Sequence, residues 1–280
     1  MRTLILTINA LIAFAANSLL ARAGLIDPNM GPKEFTLIRL ISGAVMLAVI
    51  LYFSRKKTTS TQTSSGSWWG AAMLLLYALM FSLAYVTLDT GFGALCLFTS
   101  VQLTILGVAA ARKNLGMIEF IGAAIAFAGF VYLVLPALGT PSRTGIFMMA
   151  LSGIGWGVYT LLGRGAQNPL ALTSGNFLRA SLLALPLIIL IMPQPTLSLQ
   201  GIMLAMISGA ITSGCGYAVW YAVLPRLSTA ISGVCQLMVP PIAALMGWAV
   251  LGEALTLRLI IATLIILGGL YIVSLKPKHT

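Results

Sequence analysis

The chain has 280 residues, of which 59% are hydrophobic and only 8% are charged, too few polar residues to cover a soluble globule of this length. Its mean hydropathy of +1.03 predicts an integral membrane protein. The formal net charge of +11 comes from basic residues that occur singly or in short runs between apolar segments, so it excludes the continuous basic face of a nucleic-acid-binding protein.

Ten apolar segments follow one another along the chain, each long enough for a membrane-spanning helix, because a hydrocarbon core of about 30 Å requires about 20 helical residues. They cover residues 3–22, 34–53, 68–88, 91–111, 115–135, 144–163, 172–192, 200–222, 228–251 and 255–275. The third and fourth segments are divided at LDTGFG, where Asp89, Gly91 and Gly93 favour a turn. The sequence therefore predicts an all-α polytopic membrane protein with ten transmembrane helices.

The distribution of basic residues predicts that both termini are cytoplasmic, by the positive-inside tendency. With a cytoplasmic N-terminus, ten of the lysines and arginines fall on the inner side, namely Arg2, Arg55, Lys56, Lys57, Arg112, Lys113, Arg164, Arg226, Lys276 and Lys278. Four fall on the outer side, namely Arg22, Lys33, Arg143 and Arg258. The two remaining arginines lie inside predicted spans.

The second half of the chain repeats the first. FAANSLLARAG at 14–24 aligns with WGVYTLLGRGA at 156–166, and Arg39 aligns with Arg179 at a similar offset, close to half the chain length. The repetition predicts two five-helix units, and because five is odd the second unit is inverted in the membrane. Such repeats are typical of transporters whose site opens to each side in turn. ARA at 21–23 also resembles a signal-peptide cleavage site, an alternative disfavoured by the return of this segment in mid-chain.

Three stretches resemble the EamA-type branch of the drug/metabolite transporter superfamily: AFAANSLLARAG (13–24), FTLIRLISGAVML (35–47) and PPIAALMGWAVLGEALT (240–256), with its Pro…LGE pattern. The resemblance covers essentially the whole chain and implies two EamA-like repeats, 1–139 and 140–280, with both termini inside. It also implies export of metabolites and a location in a bacterial inner membrane. The Pro…LGE pattern marks only the second half, because the first half has VQLTILGVAAARKN at the equivalent place.

Polar and aromatic residues within the spans predict which helices line a central cavity, because polar groups in hydrocarbon must face protein or water. Aromatic residues share a face in the third, sixth and eighth segments, and polar residues gather in the first, fourth, seventh and ninth. The candidate substrate-binding residues are Asn17, Tyr77, Phe81, Tyr85, Ser100, Gln102, Trp156, Tyr159, Asn176, Tyr217, Trp220, Tyr221 and Gln236. Trp156 is the first choice, since Gly155 and Gly157 leave room beside it. Packing between helices is an equally weighted alternative for the aromatic faces.

Arg39 and Arg179 lie several residues inside the second and seventh spans, where a charge is costly unless it is paired or reaches a headgroup. Each is a candidate contact for a carboxylate or phosphate, or a gate on one side of the site. Snorkelling to the headgroups is the favoured alternative. Pro240 and Pro241 remove backbone hydrogen bonds midway through the ninth span and predict a kink there.

Few residues in the sequence could support proton coupling or an enzymatic activity. Only five acidic residues occur, all at or near span ends, so coupling through a mid-membrane glutamate is not expected, and exchange or facilitated export is favoured. A membrane-embedded transferase would need clustered acids, histidines or cysteines. His279 is alone in the tail, and Cys96, Cys215 and Cys235 are scattered in apolar segments. We therefore predict no catalytic residue, no metal site and no cofactor.

The sequence thus predicts a secondary transporter of a small organic metabolite that works by alternating access, with export favoured on the resemblance alone. Import or exchange is an alternative. A channel is a weaker one, because an internal duplication already supplies two halves. The expected partners are a small-molecule substrate and the lipid bilayer, with no nucleic acid. Both a monomer and a homodimer stay open.

Overall fold

The structure, a computed structural model, describes residues 2–55, 66–112, 116–135, 143–164, 166–189, 197–223, 226–227 and 235–274. The described residues form helices joined by short turns, and none of them forms a strand. The helices in chain order are α1 (Arg2–Leu25), α2 (Pro32–Arg55), α3 (Trp68–Tyr85), α4 (Thr90–Ala111), α5 (Met117–Val134), α6 (Arg143–Leu162), α7 (Pro169–Ile189), α8 (Leu199–Val223), α9 (Val239–Leu251) and α10 (Leu257–Ser274).

Seven of these helices, α1 to α6 and α8, are long and apolar enough to cross a membrane. Two shorter apolar helices are α9 and most of α10. α7 belongs to neither group, and it carries Arg179 and an internal Pro186. So many apolar helices define a polytopic membrane protein. Ten crossings in two inverted repeats, with both termini in the cytoplasm, stay a prediction.

The start of α9 differs from the sequence prediction. The predicted ninth span begins at residue 228, but α9 begins at Val239, and residues 228–234 lie outside the described ranges. Pro240 and Pro241 therefore occupy the first turn of a helix and do not kink the middle of a continuous one. Proline is well accommodated there, because the first backbone N–H groups of a helix have no intrahelical acceptor.

Helices from the two halves of the chain pack against each other. α2 contacts α7, α4 contacts α9, and α5 contacts α10, while α3 and α4 pack on α6 and α8 packs on α1. Glycines permit the closest approaches: a Cβ at Gly122 would meet the carbonyl oxygen of Gly269, and one at Gly153 would meet the side chain of Ser100. Small residues at such contacts are typical of membrane helix packing.

The antiparallel packing of α3 and α6 defines the two ends of the bundle. Gly145, near the start of α6, lies beside Thr87, just after α3, whereas Gly155 lies beside Tyr77, within α3. The C-terminus of α6 is therefore at the opposite end from the C-terminus of α3. We call the end where α6 finishes the open end and the end where α3 finishes the closed end. On the predicted topology they face the cytoplasm and the exterior.

The middle of α8 is a π-helix over Ser208–Cys215. Its sequence SGAITSGC is rich in small residues, which let α2 come close, since a Cβ at Gly209 would overlap the backbone carbonyl of Arg39. A π-turn adds a residue to the helical repeat and rotates the side chains that follow. In this register the hydroxyl of Thr212 reaches Asn17 of α1.

Candidate functional site

A cavity of about 440 Å³ lies between α1, α3, α4, α6, α7 and α8. It extends to the loop between α6 and α7, where its wall includes Gly163, Ala166 and the exposed Arg164. The cavity therefore opens to the protein surface at the end of the bundle where α6 finishes, which is why we call it the open end. The predicted candidates that line it are Asn17, Tyr77, Phe81, Trp156, Tyr159, Tyr217, Trp220, Tyr221 and Gln236.

Trp156 lies at the centre of an aromatic wall. Its ring centre is 4.8 Å from that of Tyr77, 5.3 Å from that of Tyr159 and 5.4 Å from that of Tyr217. The planes of the last two rings are inclined to the indole by only 29° and 26°, so the three rings are stacked. An apolar wall with a few polar groups suits an organic solute with apolar bulk.

The glycines beside Trp156 have a different role from the one predicted. A Cβ at Gly155 would lie 3.0 Å from the backbone nitrogen of Tyr77, and one at Gly157 would lie 2.9 Å from the side chain of Thr104. Both glycines therefore allow α6 to approach α3 and α4, and they do not make space for the indole ring.

Five residues form a polar cluster in and behind one wall of the cavity: Asn17, Arg39, Tyr77, Ser208 and Thr212. The Tyr77 hydroxyl accepts hydrogen bonds from the guanidinium of Arg39 at 2.8 Å and from the Asn17 amide nitrogen at 3.3 Å. The Asn17 carbonyl oxygen accepts from the hydroxyls of Ser208 at 2.7 Å and Thr212 at 3.2 Å. Ser208 and Thr212 are not among the predicted candidates, because the orientation of their side chains depends on the π-helix.

The two arginines inside the predicted spans have different surroundings. Arg39 is only 2% exposed, and its guanidinium carbon lies 5.1 Å from the ring centre of Tyr77 and 4.8 Å from that of Phe81. Snorkelling is therefore wrong for Arg39, which contacts the cavity wall. Arg179 is half-buried and lies over Trp68, 5.6 Å from the ring centre, and it does not line the cavity.

Four candidates are not brought to the cavity: Tyr85, Ser100, Gln102 and Asn176. Tyr85 is fully buried and donates a hydrogen bond to the carbonyl of Thr90 at 3.3 Å. Ser100 packs against α6. Asn176 accepts a hydrogen bond from the backbone N–H of Ser67 at 2.7 Å, at the start of α3. Tyr85, Ser100 and Asn176 therefore stabilise contacts between helices, and Gln102 is half-buried on α4.

A network centred on Arg22 connects α1, α3 and α4 at the closed end. One guanidinium nitrogen donates to the carbonyls of Tyr85 at 3.0 Å and Val86 at 2.9 Å. Another lies 3.6 Å from the carboxylate of Asp89, and the Arg22 Nε lies 3.6 Å from Glu253. The last contact reaches Glu253, two residues after the end of α9, so a single side chain joins four helices.

Glu253 completes this network by connecting α9 to the start of α4. Its carboxylate accepts hydrogen bonds from the N–H of Thr90 at 2.8 and 3.0 Å and from the Thr90 hydroxyl at 3.0 Å. Gly252, with a left-handed φ of 69°, ends α9 and turns the chain towards α4. Burial raises the pKa of Glu253, and the hydrogen bonds from Thr90 and the charge of Arg22 only partly offset it. We call Arg22, Asp89, Thr90 and Glu253 the latch.

The latch was not predicted, because its contacts join residues far apart in sequence. A signal for it was present, since Arg22 and Glu253 both lie in the stretches that carry the family resemblance. Among the described residues no acidic side chain lines the cavity, and no group of three His, Cys, Asp or Glu residues could hold a metal ion. His279 lies outside the described ranges.

A bundle of apolar helices around a cavity that is open at one end and closed by polar contacts at the other is the architecture of a small-molecule membrane transporter. The chain belongs to the EamA-like transporter family, whose model matches residues 143–275. The family resemblance predicted from the sequence is thereby confirmed. The match falls in the half of the chain that carries the Pro…LGE pattern.

Two relatives and one solved structure extend this comparison. The chain is 48% identical over 279 residues to the "Uncharacterized protein PA1977" of Pseudomonas aeruginosa, covering 99% of this chain and 96% of that one. It is 26% identical over 209 residues to an "Uncharacterized transporter" of Archaeoglobus fulgidus, covering 72% of this chain and 74% of that one. A solved structure titled "Crystal structure of protein" is 20% identical and superposes with a TM-score of 0.70, covering 100% of this chain and 99% of that one. It shares the fold.

Proposed function

We propose that this protein is a secondary transporter that exports small organic metabolites, amino acids or similar amphipathic solutes, across a bacterial inner membrane. The observation that carries the proposal is the cavity of about 440 Å³, which is open at one end of the bundle and closed at the other. A volume of this size accommodates a metabolite, and its aromatic wall offers large apolar contacts with a few hydrogen bonds.

The different construction of the two ends of the bundle supports a mechanism of alternating access. The closed end is held by the side-chain contacts of the latch, which can break without unfolding a helix. The pairing of α2 with α7, α4 with α9 and α5 with α10 supports two related halves that rock against each other. Release of the latch would expose the cavity to the other side.

Export is the direction favoured by the family resemblance alone. The positive-inside distribution assigns the open end to the cytoplasm, where a solute made by the cell would enter the cavity. Import or exchange would use the same cavity with the opposite net flux.

The experiment compares extracellular metabolites of cells that overproduce the wild type, Trp156→Ala or Trp248→Ala at equal membrane level. Trp156 is the centre of the aromatic wall, so its truncation should abolish transport with normal membrane insertion. Trp248 is 56% exposed on α9 and does not line the cavity, so Trp248→Ala is the matched control.

A compound enriched outside by the wild type and by Trp248→Ala, but not by Trp156→Ala, would support export through the cavity and identify the substrate. Enrichment by all three proteins over empty-vector cells would support a transporter and contradict the assignment of the site. Profiles identical to those of empty-vector cells would contradict export and favour uptake.

A further inference from the structure

We infer that the solute is an organic anion, with a carboxylate or a similar acidic group, and that Arg39 provides its counter-charge. This inference rests on the proposed function, because it takes the cavity to be the transport site. It narrows the substrate class from amphipathic metabolites in general to those with a net negative charge.

The first observation is a buried cation without an acidic partner. Arg39 is a cationic side chain that is only 2% exposed. All five acidic residues are described, and the ion pairs among the described residues involve Arg22 and not Arg39. A buried charge is costly unless it is compensated. The contacts with the rings of Tyr77 and Phe81 compensate only part of that cost.

The second observation is an excess of hydrogen-bond donors in the polar cluster. One terminal nitrogen of Arg39 has no hydrogen-bond partner among the described residues. The Tyr77 hydroxyl accepts from Arg39 and Asn17, and none of the described residues accepts its own hydrogen. The Asn17 carbonyl oxygen is already occupied by two hydroxyls. The missing partner is therefore an acceptor, and Tyr77, whose ring lines the cavity, is the donor that a ligand can reach.

The third observation is the sign of the charge around the cavity. Aromatic walls also bind cationic ligands, through the faces of the rings. Here Arg39 already lies over Tyr77 and Phe81, Arg164 lies at the open end, and no described Asp or Glu lines the wall. A cavity with apolar walls and charges of one sign concentrates ligands of the opposite sign. The ammonium group of an amine would find no carboxylate there.

The test measures binding of three probes with the same ring and chain length to the purified protein. They are 3-phenylpropanoate, which is an anion, phenylalanine, which is a zwitterion, and phenethylamine, which is a cation. Trp156 and Trp220, which both line the cavity, provide the signal, because quenching of their fluorescence reports occupancy of the aromatic wall. We expect the anion to bind at least about tenfold more tightly than the cation, from the attraction of one charge across a cavity wall.

Substitutions separate the charge of Arg39 from its packing. Arg39→Gln should remove the preference for 3-phenylpropanoate, and Arg39→Lys should retain most of it. Tyr77→Phe deletes the hydroxyl donor without changing the charge and should weaken anion binding severalfold, which keeps the test valid if Arg39→Gln does not fold. The matched control is Arg258→Gln, because Arg258 lies over Tyr132, 4.8 Å from the ring centre, on a helix that does not line the cavity.

Equal affinity for the three probes, a preference for phenethylamine, failure of all three to quench, or a preference that Arg39→Gln leaves intact would overturn the inference. The export experiment distinguishes this failure from failure of the proposed function. Enriched compounds that are neutral or cationic at neutral pH would overturn the anion inference and leave export standing. Identical profiles with and without the protein would overturn export, and the probe experiment would still decide the charge preference.

Discussion

Tyr77 is the residue at which the two chemical halves of the site meet. Its ring contacts Trp156 in the aromatic wall, and its hydroxyl accepts hydrogen bonds from Arg39 and Asn17 in the polar cluster. A ligand on the indole ring therefore lies close to a phenol that is polarised by a guanidinium. Small changes in the polar cluster should alter ligand charge preference without changing the apolar wall.

Asn17→Asp should place an internal counter-charge next to Tyr77 and so compete with an anionic ligand. The new carboxylate can accept from Ser208, Thr212 and the Tyr77 hydroxyl, and it compensates the nearby charge of Arg39. We expect affinity for 3-phenylpropanoate to fall about tenfold while the melting temperature is maintained.

The control for this prediction is Asn168→Asp. The Asn168 side chain accepts from the N–H of Ala171 at the start of α7, and aspartate serves equally well at that position. Affinity that is unchanged in Asn17→Asp, or reduced equally by both substitutions, would contradict the link between Asn17 and the charge of Arg39.

At the scale of helices, the hydropathy of the sequence locates most elements closely. The predicted division of the third and fourth spans falls between the end of α3 and the start of α4, because an apolar helix is identified by its length and interrupted by turn residues. α9 is the exception. The residues on both sides of its start are apolar, so hydropathy does not show that the helix begins after Met238. Seven of the eight aromatic candidates line the cavity, because ring spacing within one helix is local information.

Contacts between distant helices could not be read from the sequence. The latch joins Arg22 to Glu253, and the polar cluster joins Asn17 to Ser208, through side chains that only the folded chain brings together. Ser100 and Asn176 have the polarity of cavity residues but serve packing and capping. Polarity alone indicates that a residue avoids lipid, and it does not indicate which protein surface the residue faces.

The interface of α5 and α10 permits a test with two adjacent glycines. A Cβ at Gly269 would lie 2.6 Å from the backbone nitrogen of Ala126 and the carbonyl oxygen of Gly122, whereas a Cβ at Gly268 would meet nothing within 4 Å. Gly269→Ala should destabilise the protein by about 1–3 kcal/mol through overpacking. Gly268→Ala should be neutral or stabilising by up to about 1 kcal/mol, because alanine favours the helix.

Thermal unfolding in detergent, followed by intrinsic fluorescence, measures the difference between the two variants. A lower melting temperature for Gly269→Ala alone is the expected result. Equal melting temperatures would show that α5 and α10 do not approach as closely as the structure indicates.

For the whole molecule, the latch predicts that access to the cavity from the closed end depends on Arg22. Ser18 lines the cavity and is 1% exposed, so a Ser18→Cys reporter, in a chain with its three native cysteines replaced, should be protected from an impermeant maleimide added outside. Arg22→Ala removes the contacts to α3, α4 and Glu253 and should raise the labelling rate about tenfold.

Arg258→Ala, also on the predicted outer side, is the control and should leave the rate unchanged. Labelling of Ser18→Cys that is fast without Arg22→Ala, or slow with it, would contradict the role of Arg22 in closing this end.

The pH dependence of closure follows from the raised pKa of Glu253. When the latch is closed, the pKa of Glu253 is raised, so its carboxyl group binds a proton more tightly. When the latch is open, the carboxyl group is in water and has an ordinary pKa of about 4.3. Raising the pH through the range above that value therefore weakens closure. Labelling of Ser18→Cys should rise with pH more steeply in the native background than in Glu253→Gln, which shares the intrinsic pH dependence of the thiol. Parallel pH profiles would contradict this prediction.

The restriction of the Pro…LGE pattern to the second half makes the two ends of the molecule chemically unequal. Glu253 lies at the closed end, and the stretch at 101–114, which is equivalent by the predicted repeat, contains no acidic residue. If the halves exchange conformations, they do so between states of different free energy, since one state has an ion pair that the other lacks. Ionic strength would then weaken the ion pair of Arg22 and Glu253 at the closed end, so salt would shift the occupancy of the two states as well as the affinity for a charged solute.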